Sequence, residues 1–82
     1  MEDYINVVLI GKGCEAYFKL MKDIKKNAGL LKKKIEISEM CNELQIQKLG
    51  VIQLPAVMIN NKIILQGTEI EDDKIRKMLE GL

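Results

Sequence analysis

Two short stretches, "YINVVLI" at Tyr4–Ile10 and "AVMI" at Ala56–Ile59, are apolar at nearly every position. A strand with one wet face alternates apolar and polar residues; a run without alternation reads as a strand covered on both faces. The chain must therefore supply helices for two layers around a central sheet. It has 82 residues to do so, enough for one small core and too few for two. These constraints point to a three-layer α/β/α domain spanning residues 1–82.

The segments between the runs fit that scheme. From Cys14 to about Ala28, Tyr17, Leu20, Met21, Ile24 and Ala28 recur at steps of three and four, with lysines between them. This is the spacing of an amphipathic helix, and Gly29 is the expected residue just past its end. "KKKIEISEM" sets Ile35 and Ile37 on one face and Glu36 and Ser38 on the other, as in a half-buried or edge strand. Asn42–Leu49 reads as a short helix with Leu44, Leu49 and Ile46 inward, closed by Gly50. Asn60-Asn61 can both take positive φ and so form a two-residue hairpin turn into Lys62–Gln66. Gly67 ends that strand. A last helix begins with Glu69, Glu71, Asp72 and Asp73 and carries Arg76 and Lys77 later, the order its dipole favours. Ile75, Met78, Leu79 and Leu82 are its expected inner face. The order is βαβαββα around a four-stranded mixed sheet, with a parallel first crossover and an antiparallel final hairpin.

Charge gives no reason to expect nucleic acid or a membrane as partner. Thirteen basic residues stand against twelve acidic ones, for a net charge of +1. The lysines at 32–34, with Lys25 and Lys26, read as solvated surface. No apolar stretch approaches the roughly 20 residues of a membrane span, and "MEDYINVV" lacks the pattern of a secretory leader. The expected location is cytoplasmic, where cysteines are reduced thiols. With no histidine and two distant cysteines, neither a metal site nor a cofactor is expected.

Chemistry concentrates at "GKGCEAY". Cys14 follows the first strand and opens the first helix, where unpaired backbone N–H groups and the helix dipole favour a thiolate. A thiolate is the species that attacks disulfides. Lys12 adds positive charge nearby and Glu15 opposes it. The competing reading is a small residue filling a tight turn, and the cysteine alone does not choose between them. Pro55, the one proline of the chain, marks a strand start or a cis turn. Were its strand parallel to the first, Pro55 would reach the Cys14 end only through a local reversal of the chain.

The combination "VVLIGKGCEAY", "LGVIQLPAVMINNKIILQG" and a closing amphipathic helix resembles the small thioredoxin-like proteins of bacteria and archaea. In particular it is similar to the small redox-active disulfide proteins, relatives of glutaredoxin, over nearly the whole chain. The resemblance implies a thioredoxin-like fold and Cys14 as nucleophile. It also implies a cis Pro55 facing Cys14, and Leu54 offering its backbone to an extended substrate. Lys12, Gly13, Tyr17, Leu54 and Pro55 are then the residues around the substrate. The chain departs from the family at Tyr17, which stands where dithiol members carry the second cysteine of C-x-x-C, and at Leu54, where threonine is common. Tyr17 cannot expel a captured thiol, and its expected role is to shield Cys14.

Cys41, between the second strand and second helix, is a candidate second thiol or a packing residue. Two functions remain open. One is a monothiol redox protein exchanging with protein or low-molecular-weight thiols and disulfides. The other is a catalytically silent module that binds an extended peptide or protein partner at the Pro55 loop. A thiol or metal-ion carrier sharing Cys14 with another molecule ranks behind both.

Overall fold

The computed structural model describes residues 4–82. Its elements are β1 (Ile5–Ile10), α1 (Glu15–Leu30), β2 (Ile35–Met40), α2 (Glu43–Lys48), β3 (Ala56–Ile59), β4 (Lys62–Gln66) and α3 (Asp72–Glu80). The four strands form one sheet in the order β2-β1-β3-β4. The two apolar runs are its two central strands. β1 pairs with β2 in parallel, Ile5 opposite Ile35 through Ile10 opposite Met40. β3 pairs with β4 antiparallel. Asn60 and Asn61 make the hairpin at φ of 53° and 64°.

The pairing of β1 with β3 decides a direction that the sequence left open. It is antiparallel, with Ile10 opposite Ala56 and Val7 opposite Ile59. The start of β3 therefore lies beside the end of β1, and Pro55 meets the turn after β1 with no local reversal.

Alternation along the central strands sorts their side chains into two cores. Val7, Leu9, Val57 and Ile59 pack with Tyr17, Leu20, Ile24 and Ala28 of α1 and Ile75 and Leu79 of α3. Ile10, Ala56 and Met58 pack on the other face with Ile46 of α2. Each fully buried Leu or Ile contributes about 1.5–3 kcal/mol of transfer free energy, so most of the apolar stabilisation lies on the α1–α3 face. On β4, Ile63 joins the α2 core while Leu65 joins the α1–α3 core. Residues two apart in a regular strand share a face. Here a bulge pairs Val57 with Leu65 and Met58 with Ile63, leaving Ile64 as the extra residue, and the faces switch across it.

Several inner-face assignments change. Only Ile46 of α2 is buried; Leu44 and Leu49 are 69% and 37% exposed, and Leu82 is 40% exposed. A helix of six residues makes fewer than two turns and can turn only one such side chain fully onto the sheet. Asn42 caps α2, accepting from the Gln45 N–H. Asn27, on the inner face of α1, is the one buried polar residue among those described. Its Nδ2 donates to the Asp23 carbonyl at 2.9 Å and to Asp72 Oδ1 at 2.8 Å, tying α1 to the first turn of α3.

Helix α1 also runs past Gly29, which lies inside it. The helix closes with Lys33 N–H donating to the Ala28 carbonyl and Lys32 N–H to the Gly29 carbonyl. This paired closure places the residue after the cap in the left-handed region, and that residue is Lys32, at φ 55°. A side chain with a Cβ costs about 1 kcal/mol or more there, whereas glycine does not. Lys32→Gly is expected to stabilise the fold by about 1 kcal/mol, read as a raised urea midpoint at unchanged m-value. An unchanged or lowered midpoint would mean that the closure is not held in solution.

Candidate functional site

The site is built where β1 and β3 end side by side. Beyond the last pair, Ile10 with Ala56, come Gly11 on one chain and Pro55 on the other. The Leu54–Pro55 peptide bond is cis, and Pro55 is fully buried. A Cβ on Gly11 would stand 3.1 Å from Tyr17 Cδ2 and 3.5 Å from Pro55 Cα and Cβ. Gly11 is thus a contact surface for both, and a larger residue would wedge the two loops apart.

The chain then turns tightly at Gly13, with Cys14 N–H donating to the Lys12 carbonyl at 2.6 Å. Cys14 is the N-cap residue of α1, in extended conformation at φ −98° and ψ 171°. Its side chain makes no capping hydrogen bond, and the thiol is free and exposed. The first-turn N–H groups of the 16-residue helix are therefore left without a side-chain cap, at the end of a helix that favours negative charge. Gly13 keeps the turn close to Phe18, whose ring would lie 3.3 Å from a Cβ there. Phe18 itself is 58% exposed and meets Tyr17 edge to face at 5.6 Å.

Tyr17 is on the inner face, 4% exposed, and so forms a wall behind the turn instead of a contact open to substrate. Its hydroxyl donates to Glu39 Oε1 at 2.6 Å, tying α1 to the edge strand β2. Burial first, then the hydrogen bond and charge of Glu39, push the phenol well above its usual range, with Cys41 adding a smaller effect. Lys12 is exposed and pairs with Glu43 at the start of α2. That hydrogen bond and charge raise the Lys12 ammonium and lower the Glu43 carboxyl, and Cys41 again contributes to Lys12. Cys41 is free and exposed. It follows Met40, whose carbonyl accepts the Gly11 N–H at 3.0 Å.

The Pro55 loop is held by residues that sequence reading did not single out. Gln66 Oε1 accepts from both the Ile52 and Gln53 N–H groups, at 3.0 and 3.2 Å. Gly67 N–H donates to the Pro55 carbonyl at 2.9 Å. Gly67 sits at φ 119°, a conformation that residues with a Cβ rarely adopt, so the backbone there favours glycine. Neither the N–H nor the C=O of Leu54 takes part in these bonds. Leu54 and Lys12 border a small hollow of about 190 Å³ against α2. On the other side of Pro55, a cleft of about 420 Å³ runs between Ala16 and Lys19 of α1 and the segment Gly67–Glu71. The signal for Gln66 was a polar residue ending an edge strand next to a glycine, a pattern too common to mark a loop anchor. Among the described residues no group of acidic, cysteine or histidine side chains could hold a metal ion. None of the helices described is long and apolar enough to cross a membrane.

Two consequences are measurable. Gln66→Ala removes one acceptor shared by two exposed amides, a loss of about 1 kcal/mol. Hydrogen exchange at Ile52 and Gln53 should accelerate in that variant and return toward the native rate in Gln66→Glu, whose carboxylate also accepts. Exchange unchanged in Gln66→Ala would show that the loop is anchored elsewhere. Tyr17→Phe should cost about 1–2 kcal/mol at pH 7, because it removes a hydrogen bond to a carboxylate. The folded phenol titrates above the unfolded value of about 10, so the folded chain keeps a proton that the unfolded chain releases. Its contribution is whole below pH ~10 and declines as pH rises past that value. The stability gap between native chain and Tyr17→Phe should therefore narrow by pH ~11 in urea titrations; a gap constant with pH contradicts the buried phenol.

Residues 4–80 match the family model described as "Thioredoxin domain". No curated protein matches the chain. Among solved structures, one described as a malarial protein superposes with a TM-score of 0.65 at 16% identity, covering 96% of this chain and 97% of that one. Thioredoxin-2 of the malaria parasite, a component of its protein secretion machinery, superposes with a TM-score of 0.65 at 17% identity, covering 100% of this chain and 86% of its own. At such identities these likenesses speak to the fold. Together with a family match over nearly its whole length, they show that the chain belongs to the thioredoxin domain family.

Proposed function

We propose that residues 1–82 act as one thioredoxin-like domain that carries out thiol–disulfide exchange through Cys14. The observation that carries this reading is an exposed, uncapped thiol at the N-terminus of α1, beside the loop of a buried cis proline. In the reaction, Cys14 Sγ attacks one sulfur of a disulfide and forms a mixed disulfide, and the other sulfur leaves as a thiolate that takes a proton from solvent. Substrates are disulfides of proteins or of small thiols. No residue of the Cys14–Tyr17 segment can reverse the capture, since Tyr17 is buried and holds Glu39. Two free cysteines suit a reducing compartment, and cytoplasmic residence is part of this reading.

A second reading keeps the same surface without the chemistry: a module that binds an extended peptide at Leu54. It is favoured by the unused Leu54 backbone and by the exposed apolar side chain of Ile52, two positions before it, at 83%.

Oxidised glutathione separates the two. Cys41→Ser should gain one glutathione, mapped to Cys14, while Cys14→Ser should stay unmodified under the same conditions. A Cys41→Ser protein that is folded and unreactive would favour the binding module. An adduct on Cys41 in Cys14→Ser, with none on Cys14, would overturn the assignment of the nucleophile.

A further inference from the structure

The first turn of α1 carries no second thiol, yet the fold ties the segment that carries one to the turn before α1. Three contacts tie the residues around Cys14 to the residues around Cys41. Gly11 N–H bonds the Met40 carbonyl at 3.0 Å, Lys12 pairs with Glu43, and Tyr17 donates to Glu39 at 2.6 Å. Cys14 lies between positions 12 and 17, and Cys41 lies between 40 and 43, so the tethers join the two segments that carry the cysteines. The parallel register leads to the same place. Ile10 is opposite Met40, which sets Gly11 next to Cys41 at the spacing of neighbouring strands, about 4.8 Å.

Both cysteines are free and exposed, and both sit in irregular chain: Cys14 caps α1, and Cys41 lies between β2 and α2. A disulfide needs a Cα separation of about 4.4–6.8 Å. Adjustment to that distance falls on these two short connections and on α2, which has six residues and a single buried side chain.

We propose that Cys41 is the resolving thiol of this site, forming a Cys14–Cys41 disulfide in the oxidised protein. The proposal rests on Cys14 being the nucleophile. With oxidised glutathione as oxidant, Cys14 first takes one glutathione in mixed disulfide and releases the other as thiol. Cys41, its proton given to solvent, then attacks Cys14 Sγ and expels the second glutathione, which takes a proton. Overall the dithiol is oxidised to a disulfide while one oxidised glutathione becomes two reduced ones.

The test treats the native chain, Cys41→Ser and Cys41→Ala with oxidised glutathione, quenches in acid, and reads intact mass and the unreduced peptide map. The native chain should end as a monomer lighter by two hydrogens, with Cys14 linked to Cys41 and two thiols released per protein. Both Cys41 variants should stop at the Cys14–glutathione adduct. If the native chain accumulates that adduct to the same extent as the variants, Cys41 does not resolve it and the proposal fails, while Cys14 remains the nucleophile. If Cys14 forms no adduct in the variants and the native chain forms no internal disulfide, both readings fall together.

Discussion

Gly11 and Pro55 touch because two central strands run antiparallel and end together, and because one of the two residues has no side chain. The pair Ile10–Ala56 closes the ladder, and a Cβ on Gly11 would already stand 3.5 Å from Pro55 and 3.1 Å from the Tyr17 ring. That contact fixes the direction in which the chain leaves β1, and so the position of Cys14 three residues later. It also fixes the buried proline against the first helix. The other features of this end of the molecule are arranged around it: Gln66 and Gly67 hold the loop from one side, and Tyr17 supports the turn from beneath.

Tyr17 joins the first turn of α1 to the sheet edge. It supplies a large buried ring and one hydroxyl. The ring fills the space under Gly11, and the hydroxyl reaches β2 through Glu39. The first turn of α1 is thereby stapled to the sheet edge that leads to Cys41. The Lys12–Glu43 pair makes a second link across the same gap. Both of its partners are exposed, so its contribution to stability is small. Its value lies in orientation: it keeps the turn and the start of α2 together.

The fold was legible from residues 5–10 and 56–59, because uninterrupted apolar strands allow few architectures. The Asn60-Asn61 turn and the inner face of α1 followed from local rules. The direction of β3 relative to β1 did not, because periodicity says which residues are buried and nothing about which way a strand points. Gly29 was misread as a helix end since the left-handed residue is Lys32, where glycine would be the usual sign. The bulge at Ile64 leaves no mark in an apolar run, and Leu44 and Leu49, read as inward because they are apolar, stay exposed because so short a helix cannot turn three apolar residues onto one sheet. At the site, Cys14 and Pro55 stood out by residue type and position. Gln66, Glu39 and Glu43 did not, since their roles depend on neighbours 13 to 31 positions away.

In the proposed function, this setting makes Cys14 a working nucleophile. The direct measurement is the second-order rate constant of Cys14 with a small disulfide, in folded Cys41→Ser protein and in a free peptide of sequence GKGCEAY at the same pH. A helix N-terminus favours a thiolate, and the peptide has no helix. On the proposed function, the reaction is clearly faster in the folded protein. An equal or slower rate would contradict it and leave a thioredoxin fold whose conspicuous cysteine does no redox chemistry.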